Sequence, residues 1–218
     1  EAIKLLNQER RKPNFGNAGA VNNLLSRALQ KKESRLKEKG LSAIQRAAAE
    51  MLPVDFLTEE QEKDLGRNWR DIFRSLVGCA NITDKLENIE SIMAFCEKHG
   101  KDPVESDMRL NFLFSGNPGT GKTTVARKMG KALAQMGAVA SDELVQVTAS
   151  EFITGFVGQA SGQTRKIFES ARGKVLFIDE AHRLNPKTGG PFMGEAVDEI
   201  VNILTEDDFK NKMVVIFA

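Results

Sequence analysis

The run Gly116-Asn117-Pro118-Gly119-Thr120-Gly121-Lys122-Thr123-Thr124 fits the pattern G-x-x-x-x-G-K-[ST] and follows the apolar stretch Leu110 to Phe114. A strand, a glycine-rich turn and a helix in that order form a phosphate-binding loop. Its glycines let backbone N–H groups wrap around phosphate oxygens, and Lys122 neutralises charge on the β- and γ-phosphates. The Thr123 hydroxyl is placed to ligate Mg²⁺. The helix that opens near Gly121 aims its positive end at the same anions.

Beyond this loop, strand and helix signals alternate: Thr123–Met136 as helix, Leu144–Thr148 as strand, Thr164–Ala171 as helix, Val175–Ile178 as strand, Ala196–Leu204 as helix and Met213–Phe217 as strand. The alternation predicts an α/β fold with a parallel sheet flanked by helices. Ahead of it, Trp69, Ile72, Phe73 and Leu76 keep helical spacing, and Ile82, Leu86, Ile89, Met93 and Cys96 mark the buried face of a longer helix.

The first part of the chain is helical and basic. Ala2 to Arg11 reads as a helix ended by Pro13. Asn17 is placed to cap a second helix, ending near Gly40, with Val21, Leu24, Leu25, Ala28 and Leu29 as its apolar stripe. A weak helix spans Ser42 to Leu52, and Asp55 to Gly66 reads as a linker or short exposed helix. Residues 1–50 carry eleven Lys and Arg against five Asp and Glu, while the rest carry 20 against 25. The positive charges alternate with apolar residues at helical spacing, which fits a solvated helix face better than a nucleic-acid stripe. No run approaches a membrane span, and the charged N-terminal thirty residues are unlike a signal peptide. An intracellular, cytoplasmic setting is expected, with a nuclear one as the alternative. Cys79 and Cys96 lack metal-ligand spacing and are expected to be reduced and buried.

A second chemical signal is Val175-Leu176-Phe177-Ile178-Asp179-Glu180, four apolar residues closing on two carboxylates, as in a Walker B strand. Carboxyl ends of parallel strands line the ligand crevice, so Asp179 is expected beside the phosphate loop, holding Mg²⁺ directly or through water. Glu180 then orients and deprotonates the attacking water. Between the two motifs, Phe156-Val157-Gly158 lies in a glycine-flanked loop, where an exposed ring could grip an extended polypeptide; the alternative is a ring folded into the core.

Taken together, Gly116–Thr124, Phe156-Val157-Gly158 and Val175–Glu180, in this order and spacing, resemble an AAA+ ATPase module. The nearest branch is that of red-type Rubisco activase and stage V sporulation protein K-like ATPases. The resemblance runs from about Ile72 to Ala218. It implies ATP and Mg²⁺ as cofactors, Lys122 and Glu180 as catalytic groups, Thr123 and Asp179 as metal ligands, and Phe156 as the pore aromatic that pulls on a client protein. It further implies adenine contact at Leu76-Val77-Gly78, nucleotide sensing at Thr148, and a homo-oligomeric ring of six copies. Arg11 to Asn23 is similar to the small helical lid that follows such a core, with Gly19 standing where the family usually has an arginine that reaches the γ-phosphate. The expected organisation is a lid at 1–40, a connector at 41–72 and a partial core at 73–218, as if a tandem protein were divided between modules. With the arginine finger beyond Ala218, residues 1–218 are expected to bind nucleotide but to turn it over slowly, since loss of that group costs roughly 10³–10⁵ in rate.

Two other function classes compete with this one. Asp179-Glu180-Ala181-His182 spells the DEAH motif of nucleic-acid helicases, but no accompanying helicase motif and no basic stripe interleaved with aromatics occurs within 110–218. A nucleotide-regulated scaffold that threads nothing suits the Gly19 substitution, whereas intact Lys122, Thr123, Asp179 and Glu180 argue for an active site. Asn185 to Pro191 reads as a surface turn or a second pore loop.

Overall fold

The computed structural model describes residues 5–6, 16–58, 62, 68–106, 108, 110–152, 159–185 and 193–218. Its centre is a four-stranded parallel sheet in the order β1-β4-β3-β2, formed by β1 (Asn111–Leu113), β2 (Leu144–Thr148), β3 (Val175–Asp179) and β4 (Val214–Phe217). Strands whose side chains alternate between faces must be apolar throughout when both faces are covered. Accordingly Val175, Leu176, Phe177 and Ile178 are all fully buried.

The two faces build two cores. On one, Val175, Phe177, Val214 and Ile216 pack with Ala126, Met129 and Leu133 of the helix Lys122–Met136, with Leu86 and Ile89 of the helix Ala80–Lys98, and with Trp69 and Phe73. On the other, Leu176, Ile178 and Val215 pack with Ile167 and Phe168 of the helix Ala160–Ser170 and with Ala196, Ile200 and Ile203 of the helix Met193–Thr205. These last two helices are also tied by Arg165, whose guanidinium reaches Glu199 at 2.9 Å and Glu206 at 2.6 Å.

Among the described residues, the α-helices with defined bounds are, in chain order, α1 (Asn17–Glu38), α2 (Ala43–Ala48), α3 (Ala80–Lys98), α4 (Lys122–Met136), α5 (Ala160–Ser170) and α6 (Met193–Thr205). A close approach sets α4 on the sheet. A Cβ at Gly130 would lie 3.1 Å from Val175 Cγ2 and 3.2 Å from the Asp142 carbonyl oxygen, so glycine is what lets this helix approach.

Several local expectations are corrected. Asn17 is the first residue of α1 and Gly16 precedes it as cap without a side-chain hydrogen bond. Of the α1 stripe only Leu24 and Ala28 are buried, while Val21, Leu25 and Leu29 are exposed. The helix expected over Ser42–Leu52 is only Ala43–Ala48, started by a capping box between Ser42 and Gln45 and ended by extended backbone at Ala49. Trp69–Phe73 is a short 3-10 turn rather than an α-helix. Helix α5 starts at Ala160, four residues before the expected Thr164. Cys96 is buried, but Cys79 is only partly so.

Asp55, expected in an exposed linker, is buried. Both of its oxygens accept from Arg35 at 2.7 Å, and one also accepts from the Leu52 N–H at 2.8 Å. The Arg35 hydrogen bonds hold the Asp55 carboxyl below the usual carboxylate range, against the opposing effect of burial. This pair fastens the 3-10 turn Pro53–Phe56 to α1. Nearby, Leu5, Leu24 and Leu57 form a small separate core.

Candidate nucleotide site

The phosphate loop begins where β1 leaves the sheet: the Phe114 N–H makes a last bond to the Phe217 carbonyl at 2.7 Å. The loop then folds on itself. Thr120 Oγ1 donates to the Asn117 carbonyl at 2.8 Å, and a Cβ on Gly116 would lie 3.2 Å from that same Thr120 hydroxyl. Gly119 and Gly121 have φ values of 78° and 84°, a left-handed conformation that disfavours other residues. Residues 115–121 are exposed, and Thr124 is too, whereas Lys122 and Thr123 are half-buried.

These features suit the start of α4 to an anion. No side chain caps its N-terminus and no acidic residue lies in its first turn. The unsatisfied N–H groups of that turn therefore remain as donors, reinforced by the helix dipole. Lys122 Nζ folds back across the loop to the Gly116 carbonyl at 3.0 Å, with the Asn117 carbonyl at 3.4 Å. Its charge is thus held over the concavity, and the loop fits the polyphosphate that the motif predicts.

The carboxylates lie at the same carboxyl-terminal end of the parallel strands. Strand β4 runs between β1 and β3, and Ala218 bridges onward: its N–H bonds to Ile178 O at 2.9 Å while its carbonyl accepts from the Ala181 N–H at 2.7 Å. Asp179 closes β3, with one oxygen accepting from the Glu180 N–H at 2.9 Å. No ion pair engages Asp179 among the described residues. Glu180 adopts φ 54°, rare for a residue with a side chain, and its carboxylate meets Arg183 Nε at 3.1 Å. Among the described residues no group of three or more His, Cys, Asp or Glu could hold a metal ion by itself. One carboxylate and one hydroxyl, Asp179 and Thr123, suit Mg²⁺, which keeps several waters and takes the remaining ligands from phosphate.

Thr148 is paired in register with Asp179 across β2 and β3. Its hydroxyl lies 2.8 Å from Ser150 Oγ, and its N–H donates to Glu151 Oε1 at 2.8 Å. Val77 is fully exposed and Gly78 takes φ 81°, so the segment expected against the base presents itself to solvent next to the partly buried Leu76. Phe156-Val157-Gly158, Arg11 to Phe15 and residues 186–192 lie outside the described residues. Sequence reasoning missed Glu151 and Arg183 around the acidic edge. It also missed Lys128, whose amine donates to the Ile72 carbonyl at 2.7 Å.

A parallel sheet flanked by helices, with a glycine-rich anion loop after β1 and an acidic pair after β3, defines a P-loop nucleoside-triphosphatase fold. Comparison with known proteins narrows this. Residues 112–218 match the family model described as the ATPase family associated with various cellular activities (AAA), and residues 1–66 match the AAA lid domain. The chain belongs to the AAA ATPase family. Similar proteins include a chloroplastic ribulose bisphosphate carboxylase/oxygenase activase of Cyanidioschyzon merolae, 29% identical over 76% of this chain and 56% of its own length. Protein CbbX of Cereibacter sphaeroides is 29% identical over 79% of this chain and 56% of its own length. The ESX-1 secretion system protein EccA1 of Mycobacterium tuberculosis is 32% identical over 65% of this chain and 25% of its own length. The chain therefore spans little more than half the length of the activase-type relatives. Among the described residues no helix is long and apolar enough to cross a membrane.

Proposed function

We propose that this chain is the nucleotide-binding part of a protein-remodelling ATPase, in which ATP hydrolysis drives a pull on a polypeptide. The observation that carries the reading is the uncapped, acid-free start of α4 under the Lys122 amine, at the same carboxyl-terminal end of the parallel strands as Asp179 and Glu180. Backbone N–H groups of Gly116 to Thr124 bind the phosphates, and Lys122 offsets their charge. Thr123 and Asp179 hold Mg²⁺, which supplies further neutralisation of the developing negative charge. Glu180 orients a water and accepts its proton, and Val77 with Gly78 contacts the base. The activase-type relatives support a protein as client and a ring of copies, here six, as the working assembly. Within it Phe156, Val157 and Gly158 grip the client, in a cytoplasmic setting where ATP is supplied. The lid at 1–40, connector at 41–72 and core at 73–218 complete the organisation.

Equilibrium binding of ATP with Mg²⁺ to the chain tests the first part: saturable binding is expected, weakened about ten- to a hundredfold by Lys122→Ala. The pulling step is tested in the assembled protein with Phe156→Ala. Unfolding of a tagged client should stop while ATP binding persists; undiminished unfolding would overturn the pore reading.

A further inference from the structure

Lys128 stands apart from the phosphate chemistry yet is tied to the same helix. It lies six residues after Lys122 on α4, so about 9 Å along the axis from the anion end. Its Nζ donates to the Ile72 carbonyl at 2.7 Å and approaches Ser75 Oγ at 3.5 Å, across 56 and 53 positions of sequence. Both acceptors are neutral oxygens in the turn that leads directly into Leu76-Val77-Gly78. On its other side the turn is anchored to α3: Trp69 Nε1 donates to Glu90 at 3.0 Å, and Arg70 stacks on the Trp69 ring at 4.5 Å while reaching Glu87 and Glu90.

We propose that Lys128 is a positioning residue for nucleotide recognition: it fixes the turn 72–75 to the helix that binds phosphate, and so sets where the exposed Val77 and Gly78 meet the base. This rests on the nucleotide reading above. A charge-assisted hydrogen bond to a backbone carbonyl holds that segment more firmly than apolar contact alone, and the Ile72 carbonyl is the one that needs it: those of Asp71 and Phe73 accept from the Arg74 and Leu76 N–H groups at 3.3 and 2.9 Å, whereas Ile72 takes its donor from Lys128. The fully exposed Val77 has no protein packing of its own, so its position depends on the anchors at either side. The base end and the phosphate end of the ligand are thereby linked through one rigid helix.

The test separates base from phosphate. Binding of Mg²⁺-ATP and of Mg²⁺-tripolyphosphate, which has no base, is measured for the chain and for Lys128→Met and Lys128→Arg. The expected result is ATP affinity about tenfold weaker in Lys128→Met, tripolyphosphate affinity unchanged, and substantial recovery of ATP binding in Lys128→Arg, which keeps a charged donor. The sole tryptophan, Trp69, reports the turn directly: its emission should respond to ATP in the parent chain and respond less in Lys128→Met. Equal loss for both ligands would mean that Lys128 acts through charge or global stability, and would overturn the proposal, as would no loss for either. A parent chain that bound neither ligand would overturn the nucleotide reading itself, and this inference with it.

Discussion

Lys122 Nζ lies 3.0 Å from the carbonyl oxygen of Gly116, the first residue of the loop whose last turn it occupies. The amine is held over the concavity by neutral acceptors that a polyphosphate, with full negative charge, outcompetes. Lys122→Ala should therefore weaken ATP binding by about ten- to a hundredfold without lowering thermal stability. Isothermal titration and a melting curve on the same sample check both halves.

Glu180 combines a left-handed backbone with a half-buried carboxylate paired to Arg183. Its proposed role is proton transfer, so Glu180→Gln should retain ATP binding while slowing phosphate release by about 10²–10⁴ in the assembled protein. Single-turnover phosphate release reads the chemical step. A rate loss matched by lost affinity would assign Glu180 to binding.

The Asp55–Arg35 pair gives the N-terminal unit a pH dependence. The folded carboxyl titrates below its unfolded value of about 3.9. Its stabilisation is thus complete above the unfolded pKa and is lost as pH falls through the lowered folded one. Helicity of the chain should fall on acidification through this window, and Asp55→Asn should blunt that loss. At neutral pH Asp55→Ala should destabilise the unit by about 3 kcal/mol, because it removes one partner of a buried pair. Urea titration by circular dichroism measures both.

Gly130 faces two opposed effects. Alanine there gains about 1 kcal/mol of helix propensity but presses on the Asp142 carbonyl, so Gly130→Ala should change stability little. Gly130→Leu has no space between α4 and Val175 and should cost about 3 kcal/mol or more. Denaturant midpoints of the two variants distinguish close packing from simple propensity.

The parts of this architecture legible in sequence are those where local chemistry and position coincide. The glycines of the phosphate loop, the apolar run into Asp179 and the alternation of strands with helices predict a parallel sheet, and the structure has one. Strand Leu144–Thr148 falls where its apolar pattern places it. What could not be read depends on partners far along the chain. Asp55 looks solvated until Arg35, 20 positions away, meets it, and Lys128 looks like an ordinary helix-surface lysine until Ile72 is beside it. The α1 stripe fails for a related reason: periodicity marks an apolar face, but only packing decides that Leu24 is covered while Leu25 is not.

The sheet order has a consequence for how this chain matures. Strand β4 is the latest in sequence, yet it lies between the strand that presents the phosphate loop and the strand that presents Asp179. Until residues 214–217 insert, β1 has no neighbour among the described strands and the two halves of the site have no common framework. Closing a loop of that length is slow compared with forming the helices. Binding competence should thus arrive abruptly and late during refolding, so that capture of a fluorescent nucleotide would time the insertion of β4.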